Sequence, residues 1–187
     1  MAEEGELENL VDAFIASIPE QVERSAVQAA AKGDDSVAVP IELLKDGAES
    51  DQVLLSKLVH DMTIPQKIKL ALFGNQTARA LLIRDTNRQI PMFVLQNGRL
   101  NESEIFDFAR NTNLTDQVLR AISSNSEWMK NYATRVAIVS NPKTPIDASL
   151  KWIKYLQPAD LRRLSKSKNI PQTIATQCRK LSETKKV

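Results

Sequence analysis

The chain has one histidine, His60, followed directly by Asp61. A histidine–carboxylate pair is the smallest general-base arrangement, yet no nucleophile or second ligand accompanies it. An exposed histidine at a helix end is the reading expected here. The single cysteine, Cys178, lies in an apolar stripe with Ile174, Ala175 and Leu181, and only Arg179 and Lys180 stand nearby to lower its pKa. A buried, unreactive thiol is expected. One histidine and one cysteine exclude ordinary zinc-ligand spacing. The five glycines form neither a GxxxxGK loop nor a GxGxxG turn, which excludes the familiar nucleotide loops. Glu102, Glu104 and Asp107 cluster at the start of one helix, where carboxylates favour the positive dipole end. A magnesium site is the alternative reading of that cluster. The sequence therefore predicts no catalytic residue, no metal, no cofactor and no small-molecule substrate, and the chain is expected not to be an enzyme.

Arg84-Asp85 admits two roles. At a helix junction the arginine can bond the last carbonyls while the aspartate caps the next turn. Alternatively, the planar guanidinium recognises a partner's carboxylate or phosphate. Trp128, Trp152, Tyr132 and Tyr155 are expected in helical stripes, with Trp152 and Tyr155 at the stripe edges and better placed to stack on bases. The remaining chemistry is charge. Residues 1–61 hold 14 acids and 4 bases, a net −10, while residues 62–187 hold 9 acids and 21 bases, a net +12. Such asymmetry points to a tail, an anionic partner, or docking of one half on the other. The basic residues expected to face outward, and so to meet a partner, begin with Arg79, Arg84, Arg88 and Arg110. Arg120, Lys130 and Arg135 follow, then Lys151, Lys154, Arg162, Arg163 and Lys166.

These side chains need elements to carry them, and the chain repeats itself. The stretch from Val94 through Asn97 to Ala109 lies over that from Ile138 through Asn141 to Ile153 with a shift of 44 residues and no gap. Asn113-Leu114-Thr115 matches Asn169-Ile170-Pro171 with a shift of 56. Imperfect repeats of about 40–50 residues are the signature of stacked helix pairs. Apolar spacing and breakers predict helices near 7–18, 20–31, 65–73, 76–84, 88–96, 101–110, 115–124, 126–140, 144–156, 158–166 and 171–182, and no sheet. Thr63 with Gln66, Asn101 with Glu104 and Thr144 with Asp147 fit capping boxes. Asparagines at 75, 97, 113, 125, 141 and 169 are expected to close helices in the left-handed conformation. In the helix over 126–140, the stripe Trp128, Met129, Tyr132, Ala133, Val136, Ala137 and Val139 is expected inward, opposite Lys130, Asn131, Thr134 and Arg135. In the next helix Ile146, Leu150 and Ile153 are expected inward.

Ala78-Arg79-Ala80-Leu81-Leu82-Ile83-Arg84-Asp85, with Glu127-Trp128, Asn141-Pro142-Lys143-Thr144-Pro145 and Ser167-Lys168-Asn169, resembles a family of uncharacterised bacterial proteins with HEAT-like and leucine-rich-repeat-variant helical repeats. The resemblance spans residues 62–182 and leaves out the acidic first third. It implies an α-helical solenoid from a bacterium and supplies no catalytic residue. Pro91, inside an expected helix, departs from the pattern.

The fold class expected is all-α: a right-handed α-solenoid of short antiparallel helix pairs, HEAT-like, preceded by an acidic helical segment. The domains expected are an acidic segment over 1–61, with a flexible linker near 32–40, and a basic helical-repeat domain over 62–187. No apolar run approaches the roughly 18 residues of a membrane span, and the acidic start is unlike a secretory signal, so no membrane insertion and a cytoplasmic location are expected. The function expected is a scaffold or adaptor that binds an acidic protein segment. The alternative is sequence-nonspecific binding of DNA or RNA by the same basic surface.

Overall fold

The computed structural model describes residues 2–18, 21–45 and 52–184, and among them every regular element is helical. A first compact unit, residues 1–100, contains α1 (Ala2–Ser17), α2 (Gln21–Ala31), α3 (Gln52–Asp61), α4 (Ile64–Phe73), α5 (Gln76–Leu82) and α6 (Ile90–Leu95). A second, residues 101–187, contains α7 (Glu102–Arg110), α8 (Asp116–Ser124), α9 (Tyr132–Ser140), α10 (Ile146–Ile153), α11 (Pro158–Ser165) and α12 (Gln172–Thr184). The acidic-to-basic change of sequence at residues 61 and 62 falls inside the first unit. By unit, the charge is 15 acids against 10 bases in the first and 8 against 15, a net +7, in the second.

In the first unit α4 packs on α2, α5 and α6, and α3 packs on α5. Phe14 of α1 meets Phe93 of α6 edge-on, with ring centroids 5.9 Å apart. Residues 32–40, expected as a linker, are bonded to α4. Buried Lys69 donates from Nζ to the carbonyls of Asp34 at 2.7 Å and Val37 at 3.1 Å, and the Gln66 amide donates to Ala38 O at 2.8 Å. Gly33, at φ +75°, closes α2 in the left-handed region: Asp34 N reaches Ala29 O and Gly33 N reaches Ala30 O. Glycine meets that geometry without the Cβ penalty.

In the second unit α7 packs on α9, α9 on α10, and α12 on both α10 and α11. Val139, Ile153, Leu156, Leu161, Leu164 and Ile174 form its core, with Cys178 among them.

The 44-residue repeat has a physical basis in two buried asparagines, Asn97 and Asn141, each only 4% exposed. In each, Oδ1 accepts the backbone N–H two residues on, from Arg99 at 2.9 Å and Lys143 at 3.0 Å. In each, Nδ2 reaches carbonyls at the end of an earlier helix. Asn97 donates to Ala71 O at 2.9 Å and, more weakly, to Gly74 O at 3.4 Å. Asn141 donates to Ala109 O at 2.8 Å and Asn111 O at 3.1 Å. Asn75 does the same with Glu42 O and Lys45 O at 2.8 and 2.7 Å while capping α5 through Ala78 N. The last carbonyls of a helix have no partner within it, and these amides supply one.

Several local expectations change. No residue other than glycine has a positive φ among the described residues, so the asparagines do not close helices in the left-handed region. Asn75 caps the next helix, and Asn97 and Asn141 bridge to an earlier one. The helix expected over 126–140 is broken: Trp128–Lys130 is a 3-10 turn, and Asn131, extended at ψ 122°, caps α9 by accepting from Ala133 N. The inward face shifts accordingly. Met129, Ala137 and Val139 are buried as expected, but Thr134 and Ile138 join them, while Ala133 is exposed and Trp128 and Tyr132 are half-buried. On α10, Ile153 faces inward as expected, but Ile146 and Leu150 are 43% and 38% exposed, and Ala148 and Ser149 face inward in their place. Thr144 does not cap α10; its buried hydroxyl donates to Ile138 O at 2.7 Å. The boxes at Thr63 and Asn101 form as expected. Pro91 falls in the first turn of α6, where a missing N–H costs nothing.

Replacing Asn141 with alanine removes both donors and leaves buried helix-end carbonyls bare. Stability should fall by about 1–3 kcal/mol, against about 0.5 kcal/mol or less for Asn113→Ala at an exposed position. Urea unfolding followed by tryptophan fluorescence measures this, since Trp128 and Trp152 both lie in the second unit.

Candidate binding groove

α7, α9 and α11 line an open groove of about 490 Å³ in the second unit. The break at Asn131 creates it. Because α9 starts at Tyr132, its face of small residues, Ala133, Val136, Ala137 and Ser140, forms the floor. Phe106 from α7 and the Tyr132 ring add aromatic surface, and Arg110 and Arg163 also line it. The Arg110 guanidinium sits 5.3 Å from the Phe106 centroid, and that of Arg135 sits 5.4 Å from the Tyr132 centroid. Both are cation–π distances.

A polar cluster joins α9 to α11. The Tyr132 hydroxyl donates to Asp160 Oδ2 at 2.5 Å and accepts from Gln157 N at 3.0 Å. Arg163 donates to the other carboxylate oxygen, Asp160 Oδ1, at 2.9 Å. Burial first, then the bond to Asp160, raises the Tyr132 pKa above the usual tyrosine value.

The basic residues singled out in the sequence have different fates. Arg79 is buried and donates to Gly74 O at 2.8 Å inside the first unit. Arg84 and Arg88 are exposed; Arg84 borders a shallow depression between α3 and α5 that Lys57 also lines. Its neighbour Asp85 pairs with Lys67 at 3.0 Å and accepts from Asn87 N, so the aspartate takes the capping role. Arg120 makes a two-bond contact with Asp147, at 2.5 and 3.0 Å, and its guanidinium holds that carboxyl below the usual carboxylate range. Lys130 pairs with Glu127 at 2.6 Å. Lys151 and Lys154 lie over Trp152 and Tyr155, each at 5.1 Å from the ring centroid. Arg162 and Lys166 are exposed on and just after α11. Only Arg110 and Arg163 of the twelve line the groove. Tyr132 and Asp160, absent from the expected site, are brought together from 28 residues apart.

The other chemical candidates lie outside the groove. His60 is exposed in the last turn of α3. Glu104 is buried in its capping box and Glu102 accepts from the Asn131 amide at 2.9 Å. Among the described residues, no three His, Cys, Asp or Glu side chains converge as metal ligands, and no helix is long and apolar enough to cross a membrane. The chain matches no protein-family model, no curated protein and no solved structure.

Burial pushes the Cys178 thiol up to about 11. A thiol reagent applied near pH 8.5, the ordinary cysteine value, should leave the folded protein unmodified and react fully in denaturant. Tyr132 gives a second check. Its neutral phenol is favoured in the fold, so the associated stability is intact below the usual tyrosine pKa and lost as pH rises through the higher folded value. The tyrosinate absorbance missing from Tyr132→Phe should therefore appear above about pH 10. Its appearance at lower pH would contradict the buried bond to Asp160.

Proposed function

We propose that this protein is a non-enzymatic, cytoplasmic bacterial scaffold or adaptor whose basic helical-repeat surface binds an acidic protein segment. In this reading the helices of each unit stack as short antiparallel pairs of a right-handed, HEAT-like α-solenoid. Packing of α7 on α8 and α9, and of α8 on α9 and α10, supports the stacking. So does the matching pair of asparagine bridges. The binding reading rests on the groove across α7, α9 and α11, which combines an apolar floor with Arg110 and Arg163 in a unit of net +7. Alternating helices of a solenoid form the concave surfaces that receive extended segments. Positive potential there speeds encounter with an acidic partner.

A fluorescent Glu/Asp-rich peptide should bind the full chain, with affinity reduced at least about tenfold in Arg110→Glu/Arg163→Gln, a loss of about 1.4 kcal/mol. The unfolding midpoint of that variant should stay within about 0.5 kcal/mol of the parent. Equal binding by parent and variant would remove the groove from the reading. Sequence-nonspecific DNA or RNA binding predicts another pattern: oligonucleotides bind with steep salt dependence, and acidic peptides do not.

A further inference from the structure

We propose that the acidic segment bound in this groove is amphipathic, with one apolar side chain seated on the α9 floor and an adjacent carboxylate that takes Arg163 over from Asp160. The inference rests on the acidic-segment reading and narrows it. Charge alone leaves the floor unexplained, because a ligand made only of carboxylates would keep exposed Ala133 and half-buried Val136 wet. Those residues are small and aliphatic, with aromatic rings beside them. The groove volume of about 490 Å³ falls within the range of about 300–1,000 Å³ for sites that enclose apolar groups.

Asp160 shows how a carboxylate is held here. One of its oxygens takes the Arg163 bond and the other takes the Tyr132 hydroxyl. The arginine side chain is 63% exposed while the aspartate is 23% exposed, so the cation is the member of the pair open to a newcomer. An arginine fork has five N–H donors, and an incoming carboxylate can engage those turned to solvent. Asp160 keeps its tyrosine bond when Arg163 turns away, so the exchange strands no buried charge. Asp160 is thus a resident competitor that sets affinity and favours ligands with an apolar anchor over simple polyanions.

Two fluorescent peptides test the proposal: glutamates flanking a central leucine, and the same peptide with serine in its place. With the full chain, the leucine peptide should bind about ten- to a hundredfold more tightly, the value of burying one leucine side chain. Asp160→Asn should tighten both by about two- to fivefold. That gain should vanish in an Arg163→Gln background, which separates competition for the arginine from a general change in charge. Ala133→Leu, at an exposed floor position, should weaken the leucine peptide and leave the serine peptide unchanged, whether or not Asp160→Asn folds. Equal affinity for the two peptides would overturn the amphipathic ligand while leaving acidic binding in place. Unchanged or weaker binding by folded Asp160→Asn would overturn the competitor role. Failure of both peptides to bind the parent would overturn this proposal together with the reading beneath it.

Discussion

Burial of helix ends is the constraint on which the rest of this structure depends. From α4 to α12 the helices run from only 6 to 13 residues, so a large share of their backbone groups are terminal and lack an internal partner. Packing such ends together would bury bare carbonyls, each at a cost comparable to a lost hydrogen bond. Asparagine meets this need because one side chain has an acceptor and two donors. At Asn97 and Asn141 the acceptor shapes the outgoing turn and the donors satisfy the end of an earlier helix. Arg79 on Gly74 O and Thr144 on Ile138 O meet the same need with other side chains.

The same economy of length shapes the groove. Capping by Asn131 starts α9 late and turns its phase, so that Ile138 and Val139 enter the core while Ala133 and Val136 border open space. A continuous helix over 126–140 would have placed a different stripe inward. The polar cluster follows from the same start, since Tyr132 becomes the first residue of α9 and reaches the first turn of α11. The groove is therefore a consequence of where one helix begins.

Most helix boundaries were legible, because Thr63 with Gln66, Asn101 with Glu104, and Pro158 announce helix starts in local chemistry. Helix phase was less so. Two turns give too few apolar positions to fix a face, and packing on two sides buries polar positions such as Thr134 and Ser149 beside apolar ones. Ile146 and Leu150 read as core on α10 yet stand exposed, because the neighbours of that helix lie against Ala148, Ser149 and Ile153. The asparagines were visible as punctuation, but their donors act across 23 to 33 residues, beyond any local pattern. Arg110 and Arg163 could be picked out as outward bases. Their union with Tyr132 and Asp160 depended on tertiary packing that no spacing encodes.

Net charge alone does not locate a binding surface on such a molecule. Arg120 and Lys130 are exposed, but each is matched by a carboxylate at salt-bridge distance, and exposed pairs of this kind contribute little beyond cancelling one another's field. Lys151 and Lys154 rest on aromatic rings, which spreads their stems over apolar surface and leaves the charge in water. At the groove, Arg110 and Arg163, the latter also paired with Asp160, stand beside apolar surface that excludes water from one side, where an ionic contact is screened less than on an open helix face. A given cation does more for recognition in that setting than on an open helix face. In the binding proposed above, the excess charge of the second unit would guide an anion toward the groove, and the shape across α7, α9 and α11 would determine where that anion stays.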